Sequence, residues 1–412
     1  MVAPGRRGDH PHPHRTHKTT TEDPMTLPTL HGLRLIANPA ASPDALYGPR
    51  QCAILSPAGL AAARREIASW PGYAPTPLVA LPGLAAAAGV ADIRYKDESG
   101  RFGLGSFKAL GGAYAVLRLL RSRPDRHPAE ITVCCATDGN HGRSVAWGAR
   151  QFGCRCVIFI HATVSEGRRA AIAAYGAEVI RTAGTYDDSV RAAAEAAARN
   201  GWHVVSDTSY DGYRDIPRDV MQGYTVMAEE ALEQIPAPPT HVFVQGGVGG
   251  LAAAVCAQLW QRYGARRPVF VVAEPDRADC LFRSAAAGRR VAVPGDLNTL
   301  MAGLACGEVS ELAWEILEPA APFFTAIPDD AAVAVMRLLA DGVDGDPPLV
   351  AGESAVAGLA VALAAAQDPP ARAKLGLGPD ARVLVFGTEG ATDPDLYEEL
   401  VGRPAASVAG AA

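Results

Sequence analysis

The sequence has little of what several classes of protein require. Aromatic residues make up only 6% of the 412 residues, and no run of about 20 uninterrupted apolar residues is present to form a membrane-spanning helix. The net charge is -6, so the basic surface typical of nucleic-acid-binding proteins is lacking. The amino-terminal region has no apolar segment of the signal-peptide kind. We therefore expect a cytoplasmic protein that binds neither nucleic acid nor a membrane.

Cysteine spacing predicts no metal site. Eight cysteines are present, and none has the C-x-x-C spacing that indicates zinc. Those at 134, 135, 154 and 156 lie in apolar segments, where a thiol behaves as a small buried hydrophobe. Cys280 and Cys306 lie in loop-like segments instead, which makes them the two cysteines of interest.

The amino-terminal residues differ in composition from the rest of the chain. They are rich in proline and contain His10, His12, His14 and His17, with almost no apolar residues. A histidine-rich tract can bind metal, but this composition is typical of a disordered tail, which we predict over residues 1–27. Met25 is an alternative start of the chain.

Beyond residue 90, short apolar segments alternate with alanine-rich helical ones. This alternation is typical of parallel sheets covered on both faces by helices. The predicted strands are 93–96, 131–136, 156–160, 179–182, 204–206, 242–245, 269–273 and 383–387. The predicted helices include 108–121, 142–152, 166–175, 189–200 and 251–260.

These elements predict an α/β fold of two domains, each with a twisted, mostly parallel sheet flanked by helices. Four strand–helix units follow one another closely between residues 131 and 206, which favours a small domain over residues 113–225. Residues 28–112 and 226–405 would then form one larger domain that the small one interrupts. Such sheets bind ligands beyond the carboxyl ends of their strands.

Lys108 opens a predicted helix after a glycine-rich segment, residues 103–105. Burial and the positive end of the helix dipole both disfavour an ammonium there, which predicts a lowered pKa for Lys108. The neutral amine is the form that condenses with an aldehyde. A solvated surface lysine is the alternative interpretation, and the local pattern leaves both open.

Two further segments follow predicted strands and open predicted helices. In residues 137–142, Asp138 could cap the helix, and Asn140 offers both a donor and an acceptor to a ligand. In residues 246–250, four glycines in five positions predict a nest of N–H groups suited to phosphate. This second segment lacks the Lys-Ser/Thr ending of a nucleoside-triphosphate loop, so a monophosphate cofactor fits it better than a dinucleotide.

The last predicted strand ends at Thr388 and Glu389, where a ring nitrogen could find a hydrogen-bonding partner. Glu353 is another candidate acid, and a charge at a helix start is its equally good alternative interpretation. Taken alone, these residues do not indicate a particular kind of site.

Together, these segments resemble the fold-type II pyridoxal-phosphate enzymes, the tryptophan synthase β group that includes threonine and serine dehydratases. Residues 75–395 match that group in order and spacing. Ser106-Phe107-Lys108 resembles its Schiff-base site, Asn140-His141 its substrate and cofactor loop, and residues 246–250 its phosphate cradle. The resemblance implies pyridoxal 5'-phosphate as cofactor, bound by the larger domain of a homodimer.

Within this group, the chain is most similar to the diaminopropionate ammonia-lyase family. Asp138 stands where ordinary dehydratases usually have serine, and Asp207 supplies a second acid after another strand. Carboxylates pair with the β-ammonium of 2,3-diaminopropionate, a group that serine and threonine lack. The segments around Cys280 and Cys306 resemble those that bring two cysteines together in this family, which implies a labile disulfide.

The resemblance implies α,β-elimination from the D and L isomers of 2,3-diaminopropionate to give pyruvate and two ammonia. Lys108 would be the base for the L isomer and Asp138 for the D isomer, while Asp207 would orient the substrate amine. The implied cofactor-binding residues are Phe107, Lys108, Asn140, Gly246, Gly247, Val248, Gly249, Gly250 and Thr388. The implied substrate-binding residues are Ser106, Thr137, Asp138, His141, Asp207 and Glu353.

Two alternative functions stay open. One is a serine or threonine dehydratase, or a cysteine-synthase-like β-replacement enzyme, on the same scaffold. The other is a non-catalytic regulator that binds phosphate or a nucleotide, with the histidine-rich tail binding metal.

Overall fold

The computed structural model of this chain describes residues 27–137 and 139–410, together with Met1. The predicted tail, apart from its first and last residues, lies outside the described residues, and so does Asp138. The described ranges contain two sheets, one of seven strands and one of four.

The seven-stranded sheet has the order β1-β10-β9-β8-β11-β3-β2, and the four-stranded sheet the order β6-β5-β4-β7. The strands are β1 (Arg34–Ala37), β2 (Leu78–Ala80), β3 (Asp92–Asp97), β4 (Thr132–Ala136), β5 (Arg155–Ile160), β6 (Glu178–Arg181), β7 (His203–Val204), β8 (His241–Gln245), β9 (Val269–Pro275), β10 (Phe323–Ile327) and β11 (Arg382–Gly387).

Helices connect these strands and cover the sheets. They are α1 (Pro49–Cys52), α2 (Pro57–Ile67), α3 (Pro82–Ala88), α4 (Lys108–Arg121), α5 (Asn140–Phe152), α6 (Glu166–Ala173), α7 (Tyr186–Asn200), α8 (Asp215–Gln234), α9 (Gly250–Tyr263), α10 (Cys280–Ala287), α11 (Glu311–Ala320), α12 (Asp329–Asp341), α13 (Ala357–Gln367), α14 (Pro369–Leu375), α15 (Pro394–Val401) and α16 (Ala405–Ala409). Among the helices of the described ranges, none is both long and apolar enough to cross a membrane.

The strand directions are mostly parallel, as predicted. The four-stranded sheet is parallel throughout. In the seven-stranded sheet the strands from β10 to β3 run parallel, and only the edge strands β1 and β2 are antiparallel to their neighbours. Parallel strands need crossover connections, which the helices between them provide.

Both faces of the central strands are buried, which explains their continuous apolar sequences. On β8, Val242 and Val244 pack in one hydrophobic cluster, whereas Phe243 packs in another on the opposite face. The first cluster includes α9 and extends through α4 and α8 to one face of the four-stranded sheet. The second cluster includes α13, whose small alanine side chains are almost all buried. The first cluster therefore packs against both sheets and holds them together.

The predicted fold class is confirmed, and each predicted strand is present with its ends within two residues of the predicted ones. The prediction missed β1, β2 and β10. The first two are edge strands of four and three residues, too short for a clear alternation. The apolar content of β10 does not by itself distinguish a strand from a buried helical segment. The predicted domain limits at residues 112 and 225 stay a prediction. Each falls inside a helix, the first in α4 and the second in α8.

Candidate active site

A cavity of about 580 Å³ lies where strands of both sheets end. The segments that follow β4, β7, β8 and β11 all line it, and they contribute Thr137, Asp207, Gly246 and Thr388 respectively. The first residue of α4, Lys108, completes this wall. The carboxyl ends of parallel strands meet at one edge of a sheet, so polar groups distant in sequence converge here.

Lys108 and Asp207 form the central ion pair of the cavity. Lys108 Nζ donates a hydrogen bond to Asp207 Oδ2 at 2.7 Å, and the two side chains are 18% and 17% exposed. The Nζ atom also lies 5.5 Å from the centroid of the Phe107 ring and 5.9 Å from that of Tyr224. The pair thus links α4 to the segment after β7 and leaves the amine facing the cavity.

The predicted lowering of the Lys108 pKa is wrong for this arrangement. Burial does lower the pKa of Lys108, but the charge and the hydrogen bond of Asp207 raise it by more, to well above its ordinary value. Burial raises the pKa of Asp207, yet the charge and the hydrogen bond of Lys108 bring it well below the usual range. The prediction considered only the position of Lys108 at a helix start, whereas the acid that raises its pKa, Asp207, comes from the segment after β7.

The turn between β4 and α5 presents Asn140 to the cavity. Thr137 Oγ1 accepts hydrogen bonds from the backbone N–H groups of Gly139, at 3.0 Å, and Gly142, at 3.1 Å. A Cβ on Gly142 would lie 2.3 Å from Thr137 Cγ2, so a larger residue would open this turn. Asn140 Nδ2 donates to Glu389 Oε2, which connects the turn to the end of β11.

His141 stands behind the ion pair. Its Nε2 lies 2.8 Å from the carbonyl oxygen of Val205, while its Nδ1 makes no hydrogen bond to a described residue and lies 3.9 Å from Asp207 Oδ2. Burial lowers the pKa of His141, so the ring is neutral at physiological pH and Nε2 carries the proton. Nδ1 is then an acceptor available to an ammonium group.

The glycine loop, residues 246–250, connects β8 to α9. Gly247 and Gly249 have φ of 60° and 97°, a conformation that favours glycine. A Cβ on Gly246 would lie 2.7 Å from Glu274 Cγ, so no side chain fits there. The loop, except at Gly249, lines the cavity and leads into a 14-residue helix, whose first N–H groups have no acceptor within the helix.

An acid pair, Glu353 and Glu389, lies on another wall of the cavity. Arg168 Nη2 donates to Glu353 Oε1 at 2.8 Å, and the backbone N–H of Ser354 donates to Glu389 Oε1 at 3.1 Å. Burial, followed by the charge of Glu389, raises the pKa of Glu353 to about 7, although Arg168 opposes this. Burial raises the pKa of Glu389 as well. The pair therefore retains a proton close to neutral pH.

Most of the predicted site residues meet at this cavity. Those that line it are Phe107, Lys108, Thr137, Asn140, His141, Asp207, Gly246, Gly247, Val248, Gly250, Glu353 and Thr388. Ser106 is buried and bridges to Glu389 through its backbone, but neither Ser106 nor Gly249 lines the cavity. Asp138 lies outside the described residues. The individual roles of all these residues stay predictions.

Cys280 and Cys306 both lie close to Gly247, and no disulfide joins them in this structure. Cys280 Sγ lies 3.5 Å from the Gly247 carbonyl oxygen, and Cys306 Sγ lies 3.8 Å from where a Cβ on Gly247 would be. Burial raises the pKa of Cys280, which disfavours its reactive thiolate. Their disulfide stays a prediction.

The cavity residues that sequence reasoning missed include Arg168, Tyr224 and Gln245. Gln245 directly precedes the glycine loop and ends a buried strand, and an amide in that position was a usable signal. Arg168 and Tyr224 lie inside α6 and α8, where no local pattern distinguishes them from other helix residues.

The residues of the cavity fit pyridoxal 5'-phosphate. An aldehyde needs an amine, which Lys108 supplies. A phosphate needs several N–H donors and no obstructing side chain, and the glycine loop suits it because four of its five residues have no side chain and four of the five line the cavity. A ring hydroxyl and a ring nitrogen need hydrogen-bonding side chains, and Asn140 and Thr388 line the same cavity.

Comparisons with known proteins point to the same cofactor. The family described as "Pyridoxal-phosphate dependent enzyme" matches residues 69–388. The chain is 44% identical to the diaminopropionate ammonia-lyase of Escherichia coli (strain K12) over 349 residues, which cover 80% of this chain and 88% of that protein. It is 38% identical over 364 residues to the diaminopropionate ammonia-lyase of Salmonella typhimurium, covering 81% and 90%.

Solved structures agree with the sequence comparison. A crystal structure of diaminopropionate ammonia lyase from Escherichia coli, in complex with an aminoacrylate–PLP azomethine reaction intermediate, matches with a TM-score of 0.84 and 40% identity. The match covers 91% of this chain and 98% of that one. A complex of the same enzyme with D-serine matches with a TM-score of 0.84, 39% identity and the same coverage.

Proposed function

Since this chain belongs to the diaminopropionate ammonia-lyases within the pyridoxal-phosphate dependent enzymes, we propose that it converts 2,3-diaminopropionate to pyruvate and two ammonia. It is a pyridoxal-phosphate-dependent carbon–nitrogen lyase. The observation that carries the proposal is the pairing of Lys108 with Asp207 at 2.7 Å, in a cavity that the glycine loop also lines.

The cofactor supplies the electron-withdrawing chemistry: when bound, it acidifies the proton on the substrate Cα. Lys108 would hold its aldehyde carbon, the glycine loop its phosphate, Asn140 its ring hydroxyl and Thr388 its ring nitrogen. When Lys108 Nζ is neutral and not bound to the cofactor, it would take the Cα proton of the L isomer. Asp138 would take that proton from the opposite face in the D isomer.

Asp207 favours a diamino acid over a hydroxy amino acid. Asp207 is 17% exposed, and its pKa is held low, so it stays ionised and requires a cation nearby. When Lys108 becomes neutral, the carboxylate loses that cation. A substrate β-ammonium restores the pairing, whereas the hydroxyl of serine or threonine brings no charge.

A substrate comparison tests this function. Pyruvate release is measured with both isomers of diaminopropionate and with D- and L-serine, and Lys108→Ala serves as the inactive control. We expect kcat/KM for diaminopropionate to exceed that for serine by at least tenfold, about the ratio that one ion pair of 1.4 kcal/mol provides. A preference for serine would instead support the dehydratase alternative.

Asp138→Asn tests the assignment of two bases. We expect the variant to lose D-isomer turnover by about 10²–10⁴-fold, the contribution typical of a general base, and to keep L-isomer turnover within a few fold. The measurement is kcat for each isomer. Equal losses for the two isomers would contradict the assignment.

A cytoplasmic location and a homodimer are further parts of the proposal, and family membership is their support. Sedimentation equilibrium of the holoenzyme tests the oligomeric state. A mass equal to one chain would contradict the homodimer.

A further inference from the structure

Tyr224 has an unusual hydroxyl. The residue lies on α8 and is only 1% exposed, yet it lines the cavity. Its hydroxyl makes no hydrogen bond of ordinary geometry with a described residue, although Lys108 is near enough to act on the pKa of Tyr224 as a hydrogen-bonding partner. Burying an unsatisfied hydroxyl is unfavourable, so its place beside Lys108 suggests a hydrogen bond that forms fully at another stage of the reaction.

Glycines on two helices bring this ring against the face of α4 that carries Lys108. A Cβ on Gly111 would lie 2.4 Å from Tyr224 Cε1 and 2.7 Å from Cζ. Gly111 stands three residues after Lys108, so the two share one helix face. A Cβ on Gly223 would lie 2.0 Å from the Leu110 carbonyl oxygen, so α4 and α8 pack at very close range.

The surroundings of Lys108 leave room for a second partner. An ammonium has three donors, and the described contacts of Nζ use one of them, for Asp207 at 2.7 Å. The other ionisable groups around it are His141, Tyr224 and the Cys306 thiol. Burial raises the pKa of Tyr224 far enough that the phenol stays neutral, so it can accept or donate a hydrogen bond but cannot act as the base.

We propose that Tyr224 is a positioning residue for Lys108 in turnover of the L isomer. After Asp207 turns to the substrate ammonium, the Tyr224 hydroxyl hydrogen-bonds Lys108 Nζ and directs it at the Cα proton. The proton moves from Cα to Nζ, and the resulting ammonium donates to the phenol oxygen, while Tyr224 keeps its own proton. This inference rests on the proposed function. Turnover of the D isomer through Asp138 does not depend on this contact.

Tyr224→Phe removes only the hydroxyl. We expect kcat for L-diaminopropionate to fall about tenfold, the loss typical of one hydrogen bond to a charged group. We expect kcat for the D isomer and KM for both isomers to stay within about twofold of wild type. Tyr397→Phe is the matched control, because Tyr397 also has a buried hydroxyl without a partner but does not line the cavity. It should change neither isomer.

A second readout is independent of turnover. In cofactor-free protein, the pH dependence of Lys108 labelling by an amine-reactive reagent, followed by peptide mass spectrometry, gives the pKa of Lys108. With Asp207→Asn as background, Lys108 has lost its acid partner and turns to Tyr224. Adding Tyr224→Phe to that background should lower the pKa of Lys108 by about 0.5–1 unit, and adding Tyr397→Phe should not.

Equal losses for the two isomers, no loss for the L isomer, or an unchanged Lys108 pKa in the Asp207→Asn background would each overturn the proposal. If wild-type enzyme converts neither isomer, the proposed function fails, and the labelling experiment still decides whether Tyr224 contacts Lys108. If Tyr224→Phe does not fold, Gly111→Ala is the second variant, because its methyl group displaces the ring and should produce the same isomer-selective loss.

Discussion

Two lysines of this chain, Lys96 and Lys108, pair with acids in very different surroundings. Lys96 is fully buried and its three donors are all used, by Thr76 O at 2.8 Å, Gln234 Oε1 at 2.9 Å and Glu230 Oε2 at 3.0 Å. Lys108 makes one such bond, to Asp207, and opens onto the cavity. All three N–H donors of Lys96 are satisfied within the chain, whereas the amine of Lys108 is placed to contact a ligand in the cavity.

Lys96 belongs to a buried ion network with Glu98, Arg101 and Glu230. Arg101 is 1% exposed and donates to both glutamates. Such a network is tolerated in a core only because each charge has matched partners. The two sets of ion pairs therefore have different purposes. The network around Arg101 holds α8 to the segment after β3, whereas the pair of Lys108 and Asp207 serves the chemistry of the cavity.

Lys108→Ala gives the largest expected effect on function. Turnover of both isomers should fall by at least about 10³-fold, because the amine both holds the cofactor and acts as a base. The free energy of unfolding should also fall, by about 1–3 kcal/mol, because Asp207 is only 17% exposed and loses its cation. Pyruvate release, the visible absorption spectrum and urea denaturation measure these quantities. Activity within tenfold of wild type would exclude Lys108 as the central residue.

Arg101→Met gives the largest expected effect on stability. It leaves Glu98 buried without a cation and Glu230 with Lys96 as its remaining partner, which costs about 3–5 kcal/mol. The matched control is Arg64→Met. This substitution breaks the exposed ion pair between Arg64 on α2 and Glu233, which lies on α8 as Glu230 does, and it should cost less than about 1 kcal/mol. Urea denaturation compares the two variants. Similar losses of unfolding free energy in the two variants would show that the buried network stabilises the fold no more than a surface ion pair does.

Glu353→Gln gives a smaller effect that depends on pH. Burial raises the pKa of Glu353 from 4.5 in the unfolded chain to about 7, so the folded protein binds this proton more tightly. The stabilisation from Glu353 is therefore complete below pH 4.5 and is lost as the pH rises through about 7. We expect wild type to lose stability relative to Glu353→Gln between about pH 5 and 8.

Glu230→Gln is the control with the opposite sign. Burial raises the pKa of Glu230, but Arg101 and Lys96 lower it by more, to below the ordinary value. Wild type should therefore gain stability relative to Glu230→Gln as the pH rises through the acidic range. Urea denaturation at several pH values measures both differences. The same sign in the two variants would contradict the contrast between the cavity and the network.

Much of the fold was predictable because its signals are local. Parallel strands buried on both faces have continuous apolar sequences, and the α4 bounds follow directly from residues 108–121. The turns around Gly142 and the glycine loop were predictable for the same reason, since a short stretch of sequence determines each turn. The edge strands β1 and β2 were not, because they have only four and three residues, and β1 also pairs with β10, almost 300 residues further along the chain.

The sequence alone determined the class of fold, the motif containing Lys108, the glycine loop and the turn with Asn140, because each depends on residues a few positions apart. Tertiary structure alone decided the charge state of Lys108, since Asp207 lies 99 residues further along the chain and reverses the pKa shift expected at a helix start. It also decided the place of Tyr224 beside Lys108 and the closed network around Arg101. These contacts join segments that only the packing of α4 and α8 and the convergence of strand ends bring together.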